Sequence, residues 1–276
     1  MQKLIERIDR RFIYILLIVL ILWPLVKPIG MPIRVSSWTV AFYNEVEKLK
    51  DGDKVILAFD YSSGGGPDVH PQVEAIFQHL MKKNLRVICV AFIDQSTMYA
   101  ESVLKDWESK GKKYGEDFVN LGYLPGVETA IAAFAGDIPK AAPQDFRKNP
   151  VSSLPIMKDV KSVNDTKLVL EFATGIPGPA EWVRQVGTKY KVPMVSGVVT
   201  VMGPQNEPYV QSGQLKGLLS GLRGAAEYEQ QLKSPGKASA AMDAQSIGHV
   251  VVIVFIILGN VSYFLGRKNK KVGGGR

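Results

Sequence analysis

Two apolar runs at the ends of the chain constrain its fold most. They are FIYILLIVLILWPLV (12–26) and IGHVVVIVFIILGNVSYFLG (247–266). Because a helix rises about 1.5 Å per residue, the second run crosses a hydrocarbon core of about 30 Å, and the first does so when extended through Trp23 toward Ile33. A cleaved signal peptide is the alternative for the first run, but prolines and Lys27 occupy the place of a small-residue cleavage site. We therefore predict a transmembrane helix at each end.

The charge distribution orients these helices. Of the formal net charge of +8, residues 1–34 contribute +4 and residues 246–276 contribute +5, while residues 35–245 carry 23 basic and 24 acidic side chains, a net −1. A neutral central part lacks the basic surface of a nucleic-acid-binding domain, so no nucleic-acid partner is expected. Basic residues precede the first run and follow the second. The positive-inside rule then predicts two cytoplasmic termini, a two-pass cell-membrane protein and an extracytoplasmic central domain.

Between the two runs, short apolar segments alternate with amphipathic ones. The predicted strands are 54–60, 85–93, 117–123, 167–173 and 192–200, and the predicted helices are 36–52, 71–84, 96–111, 127–138, 179–190 and 209–232. This alternation predicts an α/β fold with a doubly wound, mostly parallel sheet, flavodoxin-like or Rossmann-like, whose strand order the pattern leaves open. The predicted borders are 1–34 for the basic end and first transmembrane helix, 35–233 for the α/β domain, 234–246 for a linker, and 247–276 for the second transmembrane helix and a basic cytoplasmic tail.

The segment DYSSGGG (60–66), directly after the first predicted strand, is the candidate binding site. Ligands of such sheets bind beyond the carboxyl ends of the strands, which would bring together Asp60, Ser62, Ser63, Asp94 and Thr174. Residues 60–64 resemble the D-x-S-x-S ion-binding motif of von Willebrand factor A-type domains, with Gly64 in place of the second serine. The resemblance implies a divalent cation held by hard oxygen ligands. A permissive turn with no ligand is the alternative.

Other chemistries have less support. Gly64–Gly66 could expose amides to a phosphate, but Asp68 would repel it, and the pattern is neither G-x-G-x-x-G nor a P-loop. A serine nucleophile at Ser62 or Ser63 would need His70 within hydrogen-bond reach, across a run of glycines. Cys89 lies within a predicted buried strand, where a thiol is a poor nucleophile. We predict no catalytic residue, and no cofactor other than the divalent cation.

Small and polar residues predict self-association. Gly217, Gly221 and Gly224 fall on successive turns of the last predicted helix, which indicates a close approach by the domain's own sheet or by a neighbouring copy. In the second apolar run, the amide of Asn260 needs a partner that the first run does not offer. Ser262 and Gly266 would let another helix approach. The prediction is a homo-oligomer, with other membrane proteins as further partners.

Three segments resemble parts of a known family. YGEDFVNLGYLPG (114–126), SLPIMKDVKSVND (153–165) and QSGQLKGLLSGLRGAAEYE (211–229) are similar to segments of a prokaryotic membrane-protein family. Its members have two terminal transmembrane helices around one α/β domain. The resemblance implies this architecture and brings no activity with it. We therefore expect a non-enzymatic scaffolding subunit that self-associates into a membrane-anchored assembly. The alternatives are an extracytoplasmic module that binds a ligand or divalent metal at Asp60, and a hydrolase.

Overall fold

A computed structural model describes residues 10–272, except for the side chains of Arg10, Ser262 and 265–272. The chain divides into two compact units. The helical unit consists of Met1–Met31 and Pro235–Arg276, and the α/β unit is Pro32–Ser234.

The described residues contain six strands and eleven α-helices. The strands are β1 (Lys54–Asp60), β2 (Arg86–Ala91), β3 (Phe118–Tyr123), β4 (Leu168–Ala173), β5 (Met194–Val198) and β6 (Leu218–Ser220). The helices are α1 (Arg10–Val26), α2 (Ser37–Glu47), α3 (Gly66–Lys82), α4 (Ser96–Ser109), α5 (Val127–Gly136), α6 (Ile138–Ala141), α7 (Pro179–Trp182), α8 (Thr188–Tyr190), α9 (Gly203–Gln211), α10 (Gly221–Gln231) and α11 (Lys237–Val272). Short 3₁₀ turns fill the connection before β4, and a π-helical turn joins α7 to α8.

The six strands form one parallel sheet in the order β3-β2-β1-β4-β5-β6. Every neighbouring pair is parallel, which confirms the predicted α/β class. This order is that of a Rossmann sheet, in which the chain direction reverses between the first and fourth strands. The carboxyl ends of β1 and β4 therefore lie side by side at the switch point, where open α/β sheets place their ligands.

The sheet is covered on both faces, and each face has its own hydrophobic core. One core joins alternate residues of the strands to the helices that carry Phe42, Ile76 and Leu104. The other joins the opposite residues to Phe134 and Trp182. Because both faces are buried, the central strands consist of continuous apolar runs, which made them visible in the sequence.

The predicted helix 209–232 is wrong, because this region contains the end of α9, then β6, then α10. A three-residue strand is too short to produce a recognisable apolar run. Its glycines pack within their own unit: a Cβ on Gly217 would overlap the backbone of Phe42 in α2, and one on Gly221 would overlap Thr200. Gly224 lies against the backbone of Leu219. These three glycines therefore do not form one helical stripe available to a second copy.

The helical unit pairs α1 with α11 in antiparallel fashion. A Cβ on Gly248 would lie 3.9 Å from Cδ1 of Ile21, and Asp243 accepts hydrogen bonds from the amides of Ile29, Gly30 and Met31 at 2.8, 2.7 and 3.0 Å. Three backbone donors on one buried carboxylate fix the chain after α1 to the first turns of α11. The predicted linker 234–246 is thus largely helical.

The prediction of two transmembrane helices is only partly supported. Within residues 10–272, one helix is long and apolar enough to cross a membrane, over Lys237–Val261, and the apolar helix Arg11–Val26 is shorter. At about 1.5 Å per residue, the 17 residues of α1 rise about 25 Å, less than a hydrocarbon core of about 30 Å. This criterion of length and composition is also met by some core helices and signal sequences.

A glycine substitution tests the packing of β6. We expect Gly217→Ala to lower the free energy of unfolding of the α/β unit by about 1–3 kcal/mol, because the methyl group has no space beside Phe42. The measurement is urea unfolding followed by circular dichroism. Gly175→Ala is the matched control, since a Cβ at that position meets no atom within 4 Å. Equal stability of the two variants would contradict the close approach of β6 to α2.

Candidate functional site

Asp60 ends β1 at the switch point, but its side chain is turned into the protein. It is fully buried. Its Oδ1 accepts a hydrogen bond from the amide of Phe92, and its Oδ2 accepts one from Nε1 of Trp182, each at 2.8 Å. The carboxylate thus links the ends of β1 and β2 to α7. To coordinate a cation in the exposed part of the loop, the Asp60 side chain would have to turn out of this buried position.

A second buried carboxyl group lies on the same face of the sheet. Glu171 in β4 pairs in register with Ala58, two residues before Asp60, and is fully buried. Its Oε2 accepts a hydrogen bond from the hydroxyl of Ser196, and its Oε1 has no hydrogen-bond partner among the described residues. Sequence reasoning missed Glu171. The available signal was a single acidic residue inside the apolar run KLVLEFA.

Burial controls the protonation of both groups. Loss of solvent raises the pKa of Asp60 to about 7, although the two N–H donors act in the opposite direction. Burial also raises the pKa of Glu171 well above its usual range, and the nearby charge of Asp60 adds to this effect. Both acids are fully buried, so the shifts in their pKa values act on the stability of the fold.

The loop after β1 is closed against its neighbours. A Cβ on Gly65 would overlap the side chain of Thr174 and lie 2.9 Å from Cγ1 of Val199. Asp68, in the first turn of α3, accepts hydrogen bonds from the amide and hydroxyl of Thr200 at 3.3 and 3.1 Å. The glycine run therefore permits the ends of β1, β4 and β5 to pack together. This geometry does not resemble a cradle for an anion.

The structure brings only some of the predicted ligands together. The amide of Ser62 donates to Oγ1 of Thr174 at 3.0 Å, and the two hydroxyl oxygens are 3.3 Å apart. Ser63 is exposed and donates to Oε1 of Gln95 at 3.4 Å, and Asp94 is exposed. Within residues 10–272, no three His, Cys, Asp or Glu side chains are grouped so that they could hold a metal ion.

Two histidines and the cysteine of the α/β unit are engaged in contacts inside the protein. Nδ1 of His70 is hydrogen-bonded to the hydroxyl of the buried Tyr61 at 2.8 Å. His79 is buried between the hydroxyl of Tyr228 at 2.8 Å and Oε1 of Glu47 at 2.9 Å, and burial lowers the pKa of its imidazole. Cys89 is fully buried in β2, which raises the pKa of its thiol and makes it a poor nucleophile.

The carboxyl edge of the sheet carries exposed apolar side chains that the sequence did not reveal. They are Met98, Tyr123, Val127, Ile176 and Val201, here called the apolar rim. Val201 is 84% exposed and Ile176 is 76% exposed, values far above those expected of packed side chains. Within Pro32–Ser234, the only other exposed large hydrophobic residue is Val40. The edge that binds ligands in many α/β proteins therefore carries exposed apolar side chains beside the exposed polar residues Ser63 and Asp94.

Comparisons with known proteins do not assign a family. No family model matches the chain, and no curated protein sequence matches it. Among solved structures, a trehalose-6-phosphate synthase, OtsA, aligns with this chain at 12% sequence identity and a TM-score of 0.27. The alignment covers 83% of this chain and 45% of the synthase chain. The chain therefore spans less than half the length of that enzyme. A similarity this low carries no argument about the present protein.

The raised pKa of Asp60 predicts a pH-dependent stability. Between its ordinary pKa of 3.8 and about 7, the unfolded chain releases a proton that the folded chain retains, so the free energy of unfolding falls as pH rises. The loss attributable to Asp60 is about 4 kcal/mol and is complete just above pH 7. We expect Asp60→Asn to remove this part of the pH dependence in urea unfolding measured from pH 4 to pH 8. Parallel pH profiles of the two proteins would contradict the assignment.

The closed loop also predicts the response to divalent cations. Because the carboxyl group of Asp60 is fully buried and bonded to Phe92 and Trp182, Mg²⁺, Ca²⁺ and Mn²⁺ at millimolar concentration should leave the melting temperature of the full-length protein unchanged. Thermal unfolding with each chloride salt, against NaCl at equal ionic strength, is the measurement. A cation-specific rise in melting temperature that Ser62→Ala abolishes would show that the loop binds an ion after all.

Proposed function

We propose that the protein is a non-enzymatic structural subunit, anchored in a membrane by α1 and α11, that self-associates into a larger assembly. The observation that carries this proposal is the apolar outer surface of the paired helices. The exposed large apolar side chains include Phe12, Ile15, Ile18, Val19, Leu22, Trp23 and Val26 on α1 and Val250, Ile253, Val254, Ile256, Ile257, Leu258 and Val261 on α11. Only 6% of the most apolar window of α11 is buried, which distinguishes it from the core helix of a soluble protein.

A lipid bilayer would remove the energetic cost of exposing the apolar outer surface of α1 and α11 to water. Apolar surface in water costs about 25 cal/mol per Å², and soluble monomers rarely expose continuous apolar patches beyond a few hundred Å². Two helices satisfy their own backbone hydrogen bonds, as a lipid environment requires. The shorter α1 would be accommodated by local thinning of the bilayer or by interfacial anchoring near Trp23.

The antiparallel pairing of α1 and α11 supports the proposed orientation. It places the start of α1 and the end of α11 at the same end of the helical unit. The basic residues before α1 and after the apolar part of α11 then flank one side of the bilayer, in agreement with two cytoplasmic termini. The α/β unit would lie on the opposite, extracytoplasmic side.

The carboxyl edge of the sheet favours a structural role over a catalytic one. The loop at the switch point is filled by Thr174 and Val199, and the carboxyl group of Asp60 is fully engaged inside the protein. The second candidate, a ligand- or cation-binding module at Asp60, would require this packing to open.

Membrane anchoring is tested by liposome flotation after reconstitution of the full-length protein. We expect the wild type to float and to resist extraction with alkaline carbonate. The double variant Val254→Lys/Leu258→Lys should be largely lost from the lipid fraction, because each lysine at the centre of a span costs about 3 kcal/mol. Val40→Lys, which changes an exposed residue of the α/β unit, is the matched control and should float normally.

Two further measurements complete this test. Protease added to sealed, right-side-out spheroplasts should digest the α/β unit, and its survival until lysis would contradict the orientation. Light scattering of the detergent-solubilised protein should give a mass above that of one chain. Failure of the wild type to float would remove the proposed function as a whole.

A further inference from the structure

Helix α11 has two faces of different character. The face toward α1 contains the buried Ala244 and the partly buried Gly248, Val251 and Phe255. The opposite side is exposed, and one stripe along it consists of His249, Ile253, Ile256, Asn260 and Tyr263, here called the outer seam. Since α1 covers the other side of α11, it cannot reach the outer seam.

The spacing of the outer seam is that of a coiled-coil interface. Its residues follow one another at intervals of four, three, four and three, the a/d pattern of a heptad repeat. In this register Ile253 and Asn260 occupy a positions and Ile256 occupies a d position. A single asparagine at an a position specifies the register and oligomeric state of a parallel coiled coil.

The described residues satisfy only part of the hydrogen-bonding capacity of Asn260. Nδ2 of Asn260 donates to the carbonyl oxygen of Ile256 at 2.9 Å, which is the one hydrogen bond described for this side chain and uses one of its two N–H groups. Asn260 is exposed, and its amide is a polar group on a helix that is otherwise apolar over this stretch. In hydrocarbon such groups are unfavourable unless another helix satisfies them. The predictions on Ser262 and Gly266 lie outside the described side chains.

Membrane topology decides which partner fits. Two copies of this chain in one bilayer have the same orientation, so two α11 helices in contact run parallel and each residue meets its own counterpart at the same depth. Such a contact is satisfied only by side chains that are both donor and acceptor. The amide of Asn260 has this property, because it offers an oxygen acceptor and N–H donors.

From this self-complementarity we infer that the outer seam of α11 is the contact between two copies of the chain, with Asn260 paired across the interface. The inference rests on the proposed membrane anchor and identifies the surface through which the assembly forms. The outer seam replaces the predicted self-association surface at Gly217, Gly221 and Gly224, because these glycines pack within the α/β unit. The apolar rim remains available for contacts of a different kind.

Disulfide cross-linking of the full-length protein in liposomes tests the geometry. The native Cys89 is fully buried, so it leaves the background free of accessible thiols. Ile253→Cys on the outer seam should give a covalent dimer on oxidation with copper phenanthroline. Val251→Cys, two residues away on the face toward α1, is the matched control at nearly equal depth and should remain monomeric.

The role of Asn260 is tested by the dissociation constant in lipid, measured by fluorescence energy transfer as the lipid-to-protein ratio rises. Asn260→Val should weaken the dimer by about 3- to 20-fold, the effect of one interhelical hydrogen bond in a membrane. Asn260→Gln keeps the amide and should retain most of the affinity.

The outcomes separate this inference from the proposed function. Cross-linking of Ile253→Cys but not Val251→Cys, with weaker association of Asn260→Val, supports the inference. If the protein floats with liposomes but stays monomeric, cross-links equally at both positions, or associates unchanged in Asn260→Val, the inference is overturned while the anchor stands. Loss of flotation by the wild type overturns the anchor and the inference with it.

Discussion

The α/β unit depends on one parallel sheet that is buried on both faces. Parallel strands need crossover connections, and right-handed crossovers place helices on both sides of the sheet. The strand order 3-2-1-4-5-6 then brings the ends of β1 and β4 together and fixes where polar side chains at strand ends can meet. Asp60 occupies this point, yet its carboxyl group serves the interior by joining the ends of β1 and β2 to Trp182.

Buried acids near the switch point are the most unusual chemical feature of this unit. In an enzyme, a carboxyl group with a raised pKa in an open cleft is a candidate acid or base. Here Asp60 and Glu171 lie in a packed core, so the same shift acts on stability and makes the fold favour lower pH. The loop above them is closed by Thr174, while Ser63 and Asp94 beside it are exposed.

The helical unit extends the same reasoning to the membrane. A pair of helices with apolar side chains on its outside is costly in water and stable in lipid. Asp243 holds the segment Ile29–Met31 and thereby fixes how α1 pairs with α11. That pairing uses one side of α11 and leaves the seam with Asn260 for a further helix. The proposed membrane-bound subunit, assembled through α11, would account for both sides of this helix.

The sequence by itself determined the α/β class, because strands buried on both faces produce continuous apolar runs. It also determined the apolar ends of the chain, because a helix that crosses a membrane requires a long apolar run. It also placed Asp60 at the end of the first strand. Only the tertiary structure decided the direction of the Asp60 side chain, since rotation toward Phe92 and Trp182 depends on residues 32 and 122 positions away. The tertiary structure likewise decided that a strand follows Gly217, because Gly217 packs closely against α2, which is distant in the sequence. Local patterns record burial and periodicity, whereas contacts between distant segments arise only when the chain folds.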